Sequence, residues 1–127
     1  MNYKYFKDSE LSCSHCNTLM MNDEFMLLLE LIREECGFPF IVTSAYRCTQ
    51  HPVEAKKTNV GAHTTGKAVD IAVNGENAYK LVQIALKHGV EGIGISQKGD
   101  MNSRFIHLDT AGLTRSRPRV WSYWQIC

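Results

Sequence analysis

No stretch of the 127-residue chain approaches the roughly 18 consecutive apolar residues that a membrane span needs, and Met-Asn-Tyr-Lys-Tyr-Phe-Lys-Asp at the N-terminus has no apolar segment behind its lysines. Neither an anchor nor a secretory leader is therefore expected, and synthesis in the cytoplasm follows. The chain also lacks an excess of one charge: 14 Lys and Arg stand against 13 Asp and Glu, a net charge of +1. No general field then favours nucleic acid or an acidic membrane as partner. The basic residues Arg115, Arg117 and Arg119 are interrupted by Ser116 and Pro118 and read as a solvated tail. There is no biased tract, internal repeat or interior linker, so residues 1–127 are expected to form a single domain, and a monomer.

Five cysteines are present, an odd number that cannot all pair, and without a leader the default is reduced thiols or metal ligands. Cys13 and Cys16 form one Cys-x-x-Cys that no second such pair completes. A structural zinc with Cys36, Cys48 or His51 is the sharp reading of it, and free thiols are the plain one.

Apolar residues at Phe25, Leu28, Leu29, Ile32 and Cys36 predict a helix over 21–36, capped by Asn22 and stopped by Gly37 and Pro39. Phe40 to Ser44 is a β-branched run suited to a strand, and 48–65 has no period and reads as a long loop. Residues 67–73 alternate, with Val69, Ile71 and Val73 on one face and Ala68, Asp70 and Ala72 on the other. A helix over 77–88 is expected to bury Ala78, Leu81, Val82, Ala85 and Leu86. Residues 93–96 and 104–110 read as two more strands, the second placing Phe105, His107 and Asp109 on one side. This order, without regular βαβ alternation, predicts an α+β fold: helices against a small, mostly antiparallel sheet.

An unpaired carboxylate such as Asp70 costs several kcal/mol in a buried strand, and a metal resolves that conflict. A catalytic zinc takes three protein ligands and leaves one position open. His63, seven residues before Asp70, and His107 complete such a set, whereas either histidine alone is more often structural. His15, His51 and His88 have no comparable support and read as structural or exposed.

Four ordered blocks carry a resemblance: Ser44-Ala45-Tyr46-Arg47, Gly61 to Ile71 (Gly-Ala-His-Thr-Thr-Gly-Lys-Ala-Val-Asp-Ile), Gly92-Ile93-Gly94, and Phe105-Ile106-His107-Leu108-Asp109, closed by Arg119 and Trp121. Their order resembles the zinc-dependent cell-wall peptidases that include D-alanyl-D-alanine carboxypeptidases and phage L-alanyl-D-glutamate endopeptidases, which share the hedgehog-type fold. The resemblance implies Zn2+ held by His63, Asp70 and His107, Arg47 near the substrate's carboxylate or scissile region, and hydrolysis of peptide bonds in peptidoglycan stem peptides. Such an enzyme would reach the wall after release from the cell, or as part of a phage particle.

The chain departs from that pattern at Ala62 and Phe105, and at Arg104, where many members carry the acidic general base; arginine cannot take a proton at neutral pH. Asp109 is the replacement candidate, as base or as a support for His107, with Asp100 and Glu91 behind it. The same departure is the ground for the alternative, a non-catalytic zinc-containing binding or structural module. Tyr46 reads as packing, and Trp121, Tyr123 and Trp124 as a core flap or a platform under the substrate.

Overall fold

A computed structural model describes residues 3–57, 61–112 and 116–123. The fold is α+β. Its elements in chain order are helices α1 (Asp8–Leu11) and α2 (Asp23–Cys36), strand β1 (Ile41–Ser44), helix α3 (Pro52–Ala55), a 3₁₀ turn (Ala62–Thr65), strand β2 (Ala68–Ala72), helix α4 (Gly75–Lys87), strand β3 (Gly92–Ser96), a second 3₁₀ turn (Met101–Ser103), and strands β4 (Phe105–Asp109) and β5 (Arg119–Ser122).

The helix expected over 21–36 runs from Asp23 to Cys36, and the one expected over 77–88 starts two residues earlier, at Gly75, and ends at Lys87. The Asn22 side chain accepts from the Phe25 N–H, and Gly37 closes α2 in the left-handed region at φ 77°. In α4 the buried residues are Ala78, Leu81, Ile84 and Ala85. Leu86, expected on that face, is 62% exposed, because the buried stripe runs through Ile84 instead.

The strands form one sheet in the order β1-β2-β4-β3-β5, with β4 at its centre. β1 with β2, β2 with β4 and β3 with β4 pair antiparallel, and β5 runs parallel to β3. One face carries Val69, Ile71, Ile93, Ile106 and Leu108, which pack with Phe25, Met26, Leu29, Ile32 and Leu81 of α2 and α4 into the main core. The other face carries the polar residues, as the period of two along each strand requires.

Two expectations change. Residues 48–65 are not a featureless loop: Pro52 opens α3, His51 caps it by accepting from the Val53 N–H, and the 3₁₀ turn follows. Elements of four residues are too short to show a period. The basic tail is likewise partly structured, since Arg119 begins β5 and the Arg117 side chain is only 5% exposed against Asp109. Arg115, Trp124 and Cys127 lie outside the described residues. Among the described residues, no helix is long and apolar enough to cross a membrane.

Candidate metal centre

The antiparallel register places Asp70 of β2 opposite His107 of β4. Across β4 the same row continues to Gly94 of β3 and, in parallel pairing, to Trp121 of β5. Pleating turns Asp70 and His107 to the face opposite the core. His63 joins them from the 3₁₀ turn Ala62–Thr65, which ends at Gly66 in the left-handed region (φ 74°). Gly66 is doubly constrained, because a Cβ there would also collide with the Met20 carbonyl oxygen. Gly66→Ala should therefore lower stability by about 1–3 kcal/mol, measured by denaturant unfolding.

His63 Nε2 lies 3.2 Å from Asp70 Oδ1, and His107 Nδ1 lies 2.9 Å from the same oxygen. One donor atom from each of the three residues falls within 4.8 Å of the others, and all three residues are buried. The outer nitrogens each face an acceptor. His63 Nδ1 is 2.7 Å from the Ala45 carbonyl oxygen, which only accepts, so Nδ1 carries a proton, and the Nε2 that faces Asp70 donates to it when the ring is protonated or offers its lone pair to a cation. His107 Nε2 donates to Asp109 Oδ2 at 2.6 Å, which turns Nδ1 inward. Two imidazole nitrogens and a carboxylate, each imidazole backed by an acceptor, form a donor set that fits zinc and leaves a fourth position open.

Burial alone would raise the Asp70 carboxyl, but hydrogen bonds from His107 and His63 outweigh it and hold that group well below the usual carboxylate range. For His107, burial pushes downward while Asp109 and Asp70 pull upward, and the upward pull wins. The cluster thus concentrates negative charge around two imidazoles, a balance that suits a cation between them.

These residues floor a cavity of about 480 Å³ whose lining includes Arg47, Lys57, Lys98, Arg117, Arg119, Trp121 and Tyr123. Gly94 makes the floor flat, since a Cβ there would meet the Trp121 ring and Tyr123 Oη, each at 2.8 Å. The Trp121 ring packs on His107 at 5.2 Å between centroids, and the Arg117 and Arg119 guanidinium groups lie 5.0 and 5.4 Å from the Trp121 ring. Of the readings of the aromatic tail, this arrangement suits the platform for Trp121.

A family model described as Peptidase M15 matches residues 4–109. The chain belongs to the peptidase M15 family. No curated protein and no solved structure matches it. M15 peptidases are typically zinc-dependent metallopeptidases, and the donor set of His63, Asp70 and His107 is in keeping with that.

In this M15 peptidase, Arg47 reaches the cavity from the segment after β1. Its Nη1 is 3.3 Å from Glu54 Oε2 and its Nη2 is 3.8 Å from Asp70 Oδ2. Glu54, which nothing in the sequence singles out, is 6% exposed and also accepts from Lys57 and Thr64. It holds Arg47 in place, and its signal is spatial only.

Of the two roles open to Asp109, base or support for His107, its position suits the support. The residue is fully buried, does not line the cavity, and sits behind His107 with Arg117 Nε and Nη2 donating to its two oxygens at 2.9 and 2.7 Å. Burial would raise its carboxyl, yet the hydrogen bonds from His107 and Arg117 keep it well below the usual range. This geometry suits a residue that orients His107. The weaker candidates are placed elsewhere too: Asp100 caps the turn Met101–Ser103, Glu91 lies beside Gly112, and neither lines the cavity. Arg104 turns away to the Gly99 carbonyl oxygen.

Proposed function

We propose that this chain is a zinc-dependent peptidase that hydrolyses peptide bonds in peptidoglycan stem peptides. The observation that carries the proposal is the convergence of His63 Nε2, Asp70 Oδ1 and His107 Nδ1 on the floor of a cavity edged by cations. Zinc held by these three residues would supply a Lewis acid for the scissile carbonyl and a water acidified to a pKa of about 7.

The rest of the chemistry falls to the chain. Arg47, oriented by Glu54, offers a planar fork to a substrate carboxylate or carbonyl oxygen. Trp121 supplies an apolar floor on which a peptide can lie, and Lys98 and Arg119 border it with positive charge suited to the carboxylates of a stem peptide. Asp109, backed by Arg117, fixes the ring of His107. Action on the wall after release, as an endolysin-type or phage-particle peptidase working as a monomer, is part of the same proposal.

Arg47→Ala should raise KM for a stem peptide about 10- to 100-fold, the worth of a charged hydrogen bond, with zinc content unchanged. Steady-state kinetics with metal analysis reads both quantities.

A second reading, a zinc-containing binding module without catalysis, is favoured by one observation: among the described residues, Asp70 is the single carboxylate lining the cavity. Digestion of purified peptidoglycan by the zinc-loaded protein, with fragments identified by mass spectrometry, separates the two. Released peptides establish the peptidase and the bond it cuts; intact wall in the presence of fully loaded protein establishes the binding module.

A further inference from the structure

A second set of ligand-type side chains lies outside the peptidase cavity, where two chain segments meet. Cys13 and Cys16 follow α1, Cys48 follows β1, and their sulfurs all fall within 4.8 Å of one another. Cys13, Cys16 and Cys48 are free thiols, and Cys13 Sγ lies 3.6 Å from Cys48 Sγ. Two thiolates on one tetrahedral zinc, each bound at about 2.3 Å, stand about 3.8 Å apart. His15 Nδ1 lies 3.7 Å from Cys48 Sγ, where a nitrogen and a sulfur on one zinc would be about 3.6 Å apart.

The backbone around these thiols is shaped to match. The Cys48 N–H donates to Cys13 Sγ at 3.3 Å, a contact that favours the thiolate. The Cys13 N–H donates to the Thr18 carbonyl oxygen and the Asn17 N–H to the Cys13 carbonyl oxygen, both at 2.8 Å. Asn17 closes this turn with φ 59°, in the left-handed region. The result is a tight knuckle that brings Cys13 and Cys16 to the same side, facing Cys48.

We propose that Cys13, Cys16 and Cys48 bind a second zinc ion of structural type, with His15, which reaches Cys48 Sγ but does not lie within 4.8 Å of all three sulfurs, as the side chain nearest to its fourth position. A set of thiolate ligands is typical of structural rather than hydrolytic zinc, so this ion would brace the fold and take no part in hydrolysis. What it braces is specific. Cys48 directly follows Arg47, the Tyr46 N–H donates to the Leu11 carbonyl oxygen at 3.2 Å, and the Arg47 N–H donates to the His63 carbonyl oxygen at 3.3 Å. The ion would pin the N-terminal segment to the stretch that carries Arg47 and the Ala45 carbonyl oxygen behind His63. The inference does not rest on the peptidase reading.

Cobalt loading of the reduced, full-length chain tests it. The wild type should take up a thiolate-bound cobalt with an intense sulfur-to-cobalt charge-transfer band, a signature that a His-Asp-His centre cannot give. His107→Ala should keep that band, whatever happens at the other centre, and Cys13→Ser with Cys48→Ser should lose it together with one bound ion. His15→Ala should keep the ion but alter the visible bands. Wild-type protein that binds cobalt without the charge-transfer band under reducing conditions overturns the proposal, a result independent of whether the cysteine variant folds. A Cys13–Cys48 disulfide in protein purified with zinc under reducing conditions also overturns it. Unchanged visible bands in His15→Ala overturn the fourth ligand alone.

Discussion

His107→Ala is expected to empty the His63–Asp70–His107 centre of zinc and to lower hydrolysis of peptidoglycan stem peptides on the order of 10³-fold or more. The metal's stabilisation of developing charge is worth several kcal/mol, and each 1.36 kcal/mol is tenfold in rate. Two ligands cannot hold what three hold, and here the loss is compounded. His107 is the common partner of Asp70, at 2.9 Å, and Asp109, at 2.6 Å. Its removal leaves two buried carboxylates facing each other across an empty space. Metal analysis, circular dichroism and a stem-peptide assay on the same preparation separate the consequences. A folded His107→Ala protein that keeps stoichiometric zinc at this centre and full activity would sink the assignment of the metal site.

Asp109 carries the second large effect, on stability as well as on the metal. Asp109→Ala should lower the unfolding free energy by about 3–5 kcal/mol, the usual consequence of removing one partner from a buried ion pair. Arg117, whose side chain is 5% exposed, would then lose the carboxylate that accepts from its Nε and Nη2. Asp109→Asn preserves shape and one acceptor oxygen but not the charge. It should weaken zinc binding about 10- to 100-fold, the effect of losing the carboxylate behind a ligating histidine. Activity should return to near the wild-type level once zinc is supplied in excess. That recovery distinguishes positioning from proton transfer: a general base lost to asparagine leaves kcat depressed at full zinc occupancy. Zinc titration followed by kcat measurement at saturation gives the answer directly.

Much of this was legible along the chain because it is local. The 3.6-residue period of Phe25, Leu29 and Ile32 and the cap at Asn22 announce α2. The period of two across 68–72 turns Asp70 away from Val69 and Ile71. The order of His63, Asp70 and His107 among their neighbours carries a family pattern, and the M15 match over residues 4–109 agrees with it. A charged residue on the wrong face of a buried strand is visible in sequence, since burial without a partner is too costly to persist.

Tertiary structure alone decided the rest, and in each instance the reason is that the deciding partner is remote in sequence or belongs to an element too short to show a period. Glu54 stands beside Arg47 only because α3, four residues long, folds back over the cavity. Arg117 leaves the solvated tail because β5 runs parallel to β3 and carries the preceding segment over Asp109. Asp109 shares its strand face with His107, which made it look like a base. Its burial and its two bonds from Arg117, which favour a supporting role, are visible only in three dimensions. Strand alternation gives each side chain a face, but only the register between strands and the path of the closing segment say what meets it there.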